Sequence, residues 1–349
     1  MKAAVYEDIE RIVVKDIPKP SCPKDGILVR VEACGICGGD IRNYFQGLKD
    51  GIKNQVMGHE IGGIVEEAAD GVRFKAGDRV ATAPDISCGE CYYCKRGLVN
   101  LCLNHRMLGT HVQGGFAQYI ALPGYVLKRG FVEKVPDRLT YIQAAFAEKV
   151  AGVYACQERC KVSLGDTVVI IGDGPVGCLH SEIAKARGAK RVIVLGMDRI
   201  SFVGRFPADE VLDNRDSEGA VKRVLELTEG IGADVVICAL PVTSVQLQAL
   251  RMVRKRGTVV IYGGAPKDDR RMTSLDSNLI HYNEITVIGS FSYPFCGLQD
   301  ALSQIEQGNV SVEKYVTKEI PLEQLTQGMM EMRDGRALNI IVRPWLGRE

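Results

Sequence analysis

Four cysteines crowd one short segment of the chain, SCGECYYCKRGLVNLC, which covers residues 87–102. They are Cys88, Cys91, Cys94 and Cys102, so their spacing is C-x2-C-x2-C-x7-C. Four thiolates complete the tetrahedral shell of a zinc ion and leave no coordination position for water or substrate. The spacing therefore predicts a structural zinc site. The alternative is a chance cluster of unliganded cysteines.

A second candidate for chemistry is the glycine-rich segment IGDGPVG, which follows the apolar run VVII. Gly172, Gly174 and Gly177 have the G-x-G-x-x-G spacing of a turn between a strand and a helix. In such a turn the first glycine allows the bend, the second lets the backbone approach a pyrophosphate, and the third lets the helix pack on the strand. With Pro175 and Val176, which open the helix, they predict a dinucleotide site at the helix N-terminus. The alternative is a purely structural tight turn.

Two further segments, CGICGGD and VMGHEIGG, carry weaker signals. In the first, Cys34 and Cys37 form a C-x2-C pair, which alone suggests half a zinc site or a redox pair. Cys34 fits a buried strand residue equally well, and we favour that interpretation. In the second, His59 and Glu60 are adjacent, and such a pair is more often a surface feature than a site. Cys37 and His59 flank short strands and could converge on one metal ion.

The pattern of secondary structure elements that must position these residues changes near residue 160. The first 150 residues are rich in short β-like runs, such as 26–34 and 61–68, separated by Gly, Pro and Asp. These runs predict a β-rich domain with long loops. Beyond residue 160, apolar strands alternate with helical segments at 175–187, 219–229 and 243–256. The alternation predicts a doubly wound parallel sheet, so the expected fold class is α/β.

From this change of pattern we predict that the chain divides into three segments. Residues 1–155 form the β-rich domain, with the cysteine-rich lobe at about 85–105. Residues 156–290 form the dinucleotide-binding domain, and residues 291–349 form a tail that partly rejoins the first domain.

Composition bounds the class of protein. The chain has 349 residues, of which 46% are hydrophobic and 25% charged, and its net charge is +1. These values are typical of a globular enzyme or binding protein, and the absence of a basic patch in the sequence argues against a nucleic-acid binder. The N-terminal segment MKAAVYEDIERIVV is acidic where a signal peptide needs an apolar core, and no apolar run approaches the length of a membrane span. We therefore expect a cytoplasmic protein.

A reducing compartment changes how the twelve cysteines are interpreted. Clustered cysteines then indicate metal or redox chemistry rather than disulfides. Most of the scattered ones are expected to be small buried hydrophobic residues, and these include Cys156, Cys160, Cys178, Cys238 and Cys296.

Several segments, taken in order, carry a resemblance to a known family. They are CGICGGD, MGHEIGGIVEE, KAGDRVA, the four-cysteine lobe, QGGFAQY, AFAEKVAGVYAC and GDGPVG. In this order the chain resembles the zinc-dependent medium-chain dehydrogenases, especially the polyol (sorbitol) dehydrogenase branch. The resemblance implies a GroES-like catalytic domain built from both termini, a central Rossmann domain for the dinucleotide, and a cleft between them.

The resemblance also implies roles for individual residues. Cys37 and His59 match ligands of a catalytic zinc, and Glu60 matches a glutamate that can ligate the metal directly. Glu148, in AFAEKV, matches a glutamate that reaches the metal directly or through water. Cys88, Cys91, Cys94 and Cys102 match the structural zinc lobe. A zinc ion with an open position acts as a Lewis acid on the substrate oxygen, and the nicotinamide accepts a hydride. Cobalt or manganese could replace the zinc.

Two departures concern the substrate side. Gly39 stands where the family has Ser or Thr, so the usual hydroxyl of the proton relay is missing, and a water held by Glu148 or Lys149 could replace it. Arg42 and Asn43 stand where the polyol branch often has His and Tyr. Arg42 is either a solvated arginine or an anion-binding one, so a phosphorylated or carboxylated polyol stays open.

A third departure concerns the cofactor. Gly196 stands where NAD-preferring relatives have an acidic residue, and Arg199 could bind a 2′-phosphate. Asp198, two residues beyond Gly196, could instead take the ribose hydroxyls and repel phosphate. We slightly favour NAD over NADP.

The predicted function is therefore a zinc-dependent oxidoreductase that transfers a hydride between a secondary hydroxyl of a polyol or sugar-like substrate and a nicotinamide cofactor. The alternative enzymes are an NADP-dependent secondary-alcohol dehydrogenase and a threonine 3-dehydrogenase-like enzyme. The non-enzyme alternative is a catalytically lapsed, zinc-lobed binding protein. The run EITVIGSF at 284–291 could pair across a two-fold axis, and we expect a homo-oligomer, either a dimer or a tetramer.

Overall fold

The computed structural model describes residues 1–265, 269–294 and 297–347. The chain divides into two compact units. The first unit comprises Met1–Ala151 and Tyr293–Glu349, and the second comprises Gly152–Ser292.

The secondary structure elements are numbered in chain order. The strands are β1 (Lys2–Asp8), β2 (Arg11–Asp16), β3 (Ile27–Gly35), β4 (Gln55–Val56), β5 (Glu60–Ala68), β6 (Arg79–Ala83), β7 (Asp85–Ile86), β8 (Arg106–Met107), β9 (Tyr119–Leu122), β10 (Phe131–Lys134), β11 (Thr167–Ile171), β12 (Arg191–Gly196), β13 (Glu210–Asp213), β14 (Ala233–Cys238), β15 (Val253–Ile261), β16 (Thr286–Gly289), β17 (Val316–Ile320) and β18 (Asn339–Val342). The helices are α1 (Gly38–Gln46), α2 (Gly124–Arg129), α3 (Tyr141–Cys160), α4 (Pro175–Ala186), α5 (Ile200–Val203), α6 (Ser217–Leu227), α7 (Ser244–Met252), α8 (Ser277–Tyr282), α9 (Gly297–Glu306) and α10 (Leu325–Arg333).

The second unit is built on one sheet in the order β13-β12-β11-β14-β15-β16. All of these pairings are parallel. Strands β11 and β12 are almost entirely buried, as expected for strands of a parallel sheet covered on both faces. The strand order reverses next to β11, so the segment that follows β11 lies at the topological switch point where such sheets bind ligands. The predicted doubly wound sheet is confirmed.

The first unit is rich in strands. Its largest sheet has the order β10-β6-β5-β3-β18-β17, and β9 also pairs with β3. Strand β18 pairs antiparallel with β3 and parallel with β17. Strands from the last part of the chain therefore lie in the same sheet as strands from its first part.

The register between β3 and β5 brings two distant segments together. Gly35, at the end of β3, lies opposite Glu60, at the start of β5. The residues just after β3 and just before β5 consequently leave the sheet at the same end of this strand pair. Cys37 and His59 belong to these two segments, so the sheet itself sets them side by side.

Buried cysteines behave as the composition predicts. Cys34 lies in β3 with no exposed surface, and Cys156, Cys160, Cys178 and Cys238 are also buried. Cys296 lies outside the described residues. Within the ranges that the structure describes, no helix has both the length and the apolar character needed to cross a membrane.

Candidate functional site

Three potential metal ligands converge at the end of the sheet where β3 ends and β5 begins. One ligand atom each from Cys37, His59 and Glu60 lies within 4.8 Å of the others. Glu60 has no exposed surface and His59 is buried. A thiolate, an imidazole and a carboxylate are the three ligand types that zinc accepts in proteins. The donor set therefore fits a zinc ion. We call these three residues the ligand cluster.

Helix α1 fixes the first of the three ligands. Cys37 is the N-cap of α1, and its Sγ accepts a hydrogen bond from the Gly39 backbone N–H at 3.4 Å. The Cys37 N–H in turn donates to Asp40 Oδ2 at 3.0 Å, which completes a capping box. A reciprocal cap of this kind holds the thiol at one end of the helix.

Asp40 also reaches the second ligand. Its buried carboxylate Oδ1 lies 3.6 Å from His59 Nδ1. Burial disfavours the imidazolium, but the charges of Asp40 and Cys37 outweigh it, so the pKa of His59 is raised well above its ordinary value. At this distance the two groups interact through their charges rather than through a hydrogen bond. Asp40 had no expected role from the sequence, although an acid three residues after an N-cap was a usable signal.

Lys149 anchors the third ligand. Its Nζ forms an ion pair with Glu60 Oε2 and approaches the Ile36 carbonyl at 3.4 Å, and both charged side chains are almost completely buried. A Cβ at residue 35 would collide with Glu60 Oε2, so Gly35 provides the space that the carboxylate occupies. Glu60 Oε1 is buried and has no hydrogen-bond partner among the described residues. An unsatisfied buried carboxylate oxygen is costly, and a cation held by the ligand cluster would satisfy it.

Glu148 lies near the ligand cluster but does not belong to it. It is half-buried on α3, next to Lys149, and Tyr293 Oη donates to its Oε1 at 3.4 Å. Burial, with a further contribution from the negative charge of Glu60, raises the pKa of Glu148 to about 7. The structure thus brings three of the four predicted catalytic-site residues together and sets the fourth beside them.

Chelator-treated protein is expected to lose stability as the pH rises from about 4.5 to 7. In this window the folded state keeps a proton on Glu148, whose pKa is raised to about 7 from its ordinary value of 4.5, while the unfolded chain has released it. The raised pKa of His59 acts in the same direction above its ordinary value of 6.5. Thermal unfolding of the metal-free protein at a series of pH values measures how stability depends on pH. Glu148→Gln should reduce this dependence between pH 4.5 and 7, and an unchanged dependence would contradict the raised pKa of Glu148.

The four-cysteine lobe forms a second cluster of ligand atoms. Cys91 and Cys94 Sγ are 3.5 Å apart, Cys88 and Cys94 Sγ are 4.0 Å apart, and all four sulfurs lie within 4.8 Å of one another. Sulfurs bound at about 2.3 Å to one tetrahedral zinc would be ~3.8 Å apart. The paired strands β7 and β8 lie on either side of the lobe in the chain. The spacing of the sulfurs therefore fits a zinc ion with four cysteine ligands.

Backbone groups of the lobe favour thiolate at one position in particular. The N–H groups of Cys94 and Leu103 donate to the Cys91 sulfur and lower the pKa of Cys91 to about 6. Burial instead raises the pKa of Cys102 to about 12. Since only thiolates bind zinc strongly, a divalent cation at the centre of the lobe would supply the charge that Cys102 needs to ionise.

The glycine-rich turn lies at the switch point of the second unit. Gly172 has a positive φ of 139°, and a Cβ at Gly177 would collide with the Gly172 carbonyl oxygen, so both positions require glycine. Gly174 is the N-cap of α4, and Pro175 and Val176 form its first two positions. Gly172, Asp198 and Arg199 line a pocket of the second unit, together with Asp173, Gly196 and Arg251.

Asp173 explains why an acidic residue is missing at position 196. Its Oδ2 accepts hydrogen bonds from the backbone N–H groups of Met197, at 2.8 Å, and Arg199, at 2.7 Å. A Cβ at Gly196 would lie 2.5 Å from the Asp173 Cβ. The side chain of Asp173 therefore occupies the space that a residue at 196 would need. This contact could not be expected from the sequence, because it depends on the pairing of β11 with β12.

Replacing Asp198 with alanine is expected to raise the NADP:NAD ratio of kcat/KM about tenfold, which corresponds to ~1.4 kcal/mol. Asp198 lines the pocket, and its Oδ1 lies 3.1 Å from Arg215 Nη2. Loss of the carboxylate removes a charge that repels the 2′-phosphate, which Arg199, another residue of the same pocket, could then bind. Steady-state kinetics with both cofactors measure the ratio.

Asp213→Ala is the matched control for this prediction. Asp213 also pairs with Arg215, at 2.8 Å, but is not among the described residues that line the pocket. The control should leave the ratio within about twofold. Equal shifts in both variants would show that Asp198 does not face the cofactor.

Comparison with known proteins identifies the family. The sequence profile of the alcohol dehydrogenase GroES-like domain matches residues 23–137, and that of the zinc-binding dehydrogenase domain matches residues 175–307. The sorbitol dehydrogenase of Bacillus subtilis (strain 168) is 33% identical over 339 residues, which cover 95% of this chain and 93% of the relative. The chain belongs to the zinc-dependent medium-chain dehydrogenases. The resemblance on which the sequence analysis relied is confirmed.

Further relatives and solved structures agree with this family. The D-arabitol-phosphate dehydrogenase of Enterococcus avium is 30% identical over 334 residues, which cover 94% of this chain and 92% of the relative. The 2R,3R-butanediol dehydrogenase from Bacillus subtilis superposes with a TM-score of 0.88 at 28% identity, over 98% of this chain and 99% of that one. A protein of Sinorhizobium meliloti 1021 described as a zinc-binding dehydrogenase, bound to NADP, gives a TM-score of 0.88 at 30% identity and the same coverage. The protein is thus a zinc-dependent NAD(P) dehydrogenase.

Proposed function

We propose that this dehydrogenase interconverts a secondary hydroxyl of a polyol or sugar-like substrate with a ketone, using NAD or NADP as the hydride carrier. The observation that carries the proposal is the ligand cluster of Cys37, His59 and Glu60 with its buried anchor Lys149. The names of the sorbitol and D-arabitol-phosphate dehydrogenases support a polyol substrate. The similar zinc-binding dehydrogenase from Sinorhizobium meliloti 1021 is bound to NADP, which is the reason for including NADP beside NAD in the proposal.

In this proposal the ligand cluster holds the catalytic zinc, and Glu148, which lies beside the cluster, reaches that zinc through a water molecule. A zinc ion held there supplies a Lewis acid that polarises the substrate oxygen. Asp40 places a negative charge beside His59, and Lys149 keeps Glu60 in place. The four cysteines of the lobe hold a second, structural zinc.

Proton transfer falls to Glu148 in this proposal, because Gly39 offers no hydroxyl. The carboxylate of Glu148 and the water that it holds would take the place of that hydroxyl. Tyr293 donates a hydrogen bond to Oε1 and so orients the carboxylate.

Cofactor binding falls to the second unit. The N-terminus of α4, which begins at Pro175 after the turn at Gly172 and Gly174, offers backbone N–H groups and a favourable dipole to the pyrophosphate. Asp198 and Arg199 line the pocket proposed for the ribose. Gly177 keeps α4 close to β11.

The test is reduction of NAD and of NADP by a panel of polyols, polyol phosphates, threonine and simple secondary alcohols, with and without a metal chelator. Chelator-sensitive turnover of polyols supports the proposal. Turnover of threonine or simple alcohols alone would replace the substrate class. No turnover by protein that retains two zinc ions per chain would favour a lapsed, zinc-lobed binding protein.

We also propose a cytoplasmic homo-oligomer. Every cysteine among the described residues is free, which suits a reducing compartment. Strand β16, within the run expected to pair between subunits, is an edge strand of its sheet, and an edge strand can pair with a second copy. Native mass spectrometry that gave only a monomer at working concentration would remove the oligomer from the proposal.

A further inference from the structure

Arg42 borders the ligand cluster and has no partner among the described residues. Arg42 and Asn43 follow Gly39 by three and four positions on α1, so they lie on the same face of the helix as Gly39. A Cβ placed on Gly39 would lie 3.6 Å from Cys37 Sγ, 3.9 Å from His59 Cε1 and 3.9 Å from Arg42 Nη2. The guanidinium and two members of the ligand cluster therefore border one small space, which glycine leaves open.

The charge of Arg42 is not used within the described part of the chain. Its side chain is exposed and forms no hydrogen bond or ion pair with any described residue. The other cation at the site, Lys149, is instead buried against Glu60. A guanidinium presents planar, paired donors that match a carboxylate or a phosphate. Arg42 thus offers an anion-binding group beside the proposed reaction centre.

From this arrangement we infer that the substrate is an anionic polyol, and that Arg42 binds its phosphate or carboxylate while a hydroxyl-bearing carbon lies at the ligand cluster. The inference rests on the proposed polyol dehydrogenase function and narrows its substrate class. Gly39 contributes through its missing side chain, since any larger residue would fill part of the space between the anion site and the cluster. Arg42 acts as a specificity residue that contacts the part of the substrate that does not react.

The first experiment compares kcat/KM for sorbitol, sorbitol 6-phosphate and gluconate in the wild-type holoenzyme. We expect at least a tenfold preference for one or both anionic substrates over sorbitol. The phosphate and carboxylate arms identify which anion Arg42 accepts. A second measurement is the dissociation constant of the preferred anionic polyol in calorimetry without cofactor, which does not depend on turnover.

The second experiment changes the arginine. Arg42→Gln should lower the anionic-to-neutral ratio of kcat/KM at least tenfold, mainly through KM, and weaken calorimetric binding by a similar factor. Arg42→Lys should retain part of the preference, because it keeps the charge but loses the paired donors. Arg11→Gln, which removes another exposed arginine of the first unit, is the matched control and should leave the ratio unchanged.

The outcomes separate this inference from the proposed function. If sorbitol and its anionic counterparts have equal values of kcat/KM and Arg42→Gln leaves their ratio unchanged, the inference is wrong. The proposed polyol dehydrogenase function would then still stand. If no polyol of either kind is oxidised, the proposed function fails and the inference falls with it. A ratio that collapses in Arg42→Gln but not in Arg11→Gln supports both.

Discussion

Replacing Lys149 with methionine is expected to lower turnover about 100-fold and to weaken zinc binding at the ligand cluster by 10–100-fold. Lys149 is the cation that compensates the fully buried carboxylate of Glu60. Removal of one partner of a buried ion pair costs about 3–5 kcal/mol, because the remaining charge is left uncompensated. Glu60 would then no longer be held in place and would be lost as a ligand.

Zinc content per chain, zinc affinity in a competition titration, and the free energy of unfolding measure the three consequences separately. The double variant Lys149→Met/Glu60→Gln should recover most of the lost stability, since it removes both charges, but it should not recover zinc affinity or turnover. Lys53→Met is the control, because it breaks an exposed ion pair with Asp8 and should cost at most ~1 kcal/mol. Normal zinc affinity in Lys149→Met would show that Glu60 needs no anchor.

Replacing Cys94 with serine is expected to remove one zinc ion per chain and to lower the midpoint of thermal unfolding by about 10 °C. Cys94 Sγ lies 3.5 Å from Cys91 Sγ and 4.0 Å from Cys88 Sγ, so its loss would remove a sulfur that neighbours two other ligands. The lobe has little apolar core of its own, so the metal is the main interaction that closes it. Turnover at low temperature should survive, since the ligand cluster lies elsewhere.

Cys22→Ser is the matched control for the lobe. Cys22 is a free, half-buried cysteine of the same unit and belongs to neither candidate metal site. Its variant should keep both zinc ions and the wild-type midpoint. Limited proteolysis should cut Cys94→Ser, but not Cys22→Ser, within residues 87–102. A Cys94→Ser protein that keeps two zinc ions would refute the four-cysteine site.

Much of the second unit could be predicted from sequence, because its signals are local. Runs of apolar residues define strands such as β11, and the G-x-G-x-x-G pattern requires only a strand before it and a helix after it. The helix expected at 243–256 was placed too long, since α7 ends at Met252 and β15 begins at Val253. Val253 pairs with Ala233 of β14 and Thr258 pairs with Val235, so the charged residues 254–256 lie between two paired positions of the strand although their pattern continues that of the helix.

The first unit was harder to predict, because its site depends on long-range register. Cys37 and His59 meet only because Gly35 pairs with Glu60. Neither α1 nor α3 was predicted from the sequence. The burial of Lys149 contradicts the usual exposure of lysine. Only the position of α3 against the ends of β3 and β5 turns this residue into the partner of Glu60.

The place of β18 in the sheet has a consequence for the order in which the dehydrogenase matures during synthesis. Ile341 and Val342 pair with Gly35 and Cys34, and the Ile36 N–H donates to the Ile340 carbonyl at 3.0 Å. The strand that leads to Cys37 therefore gains this neighbour only after some 300 further residues have left the ribosome. The second unit is contiguous and can close earlier. A nascent chain arrested before β18 should accordingly bind dinucleotide before it can retain the catalytic metal.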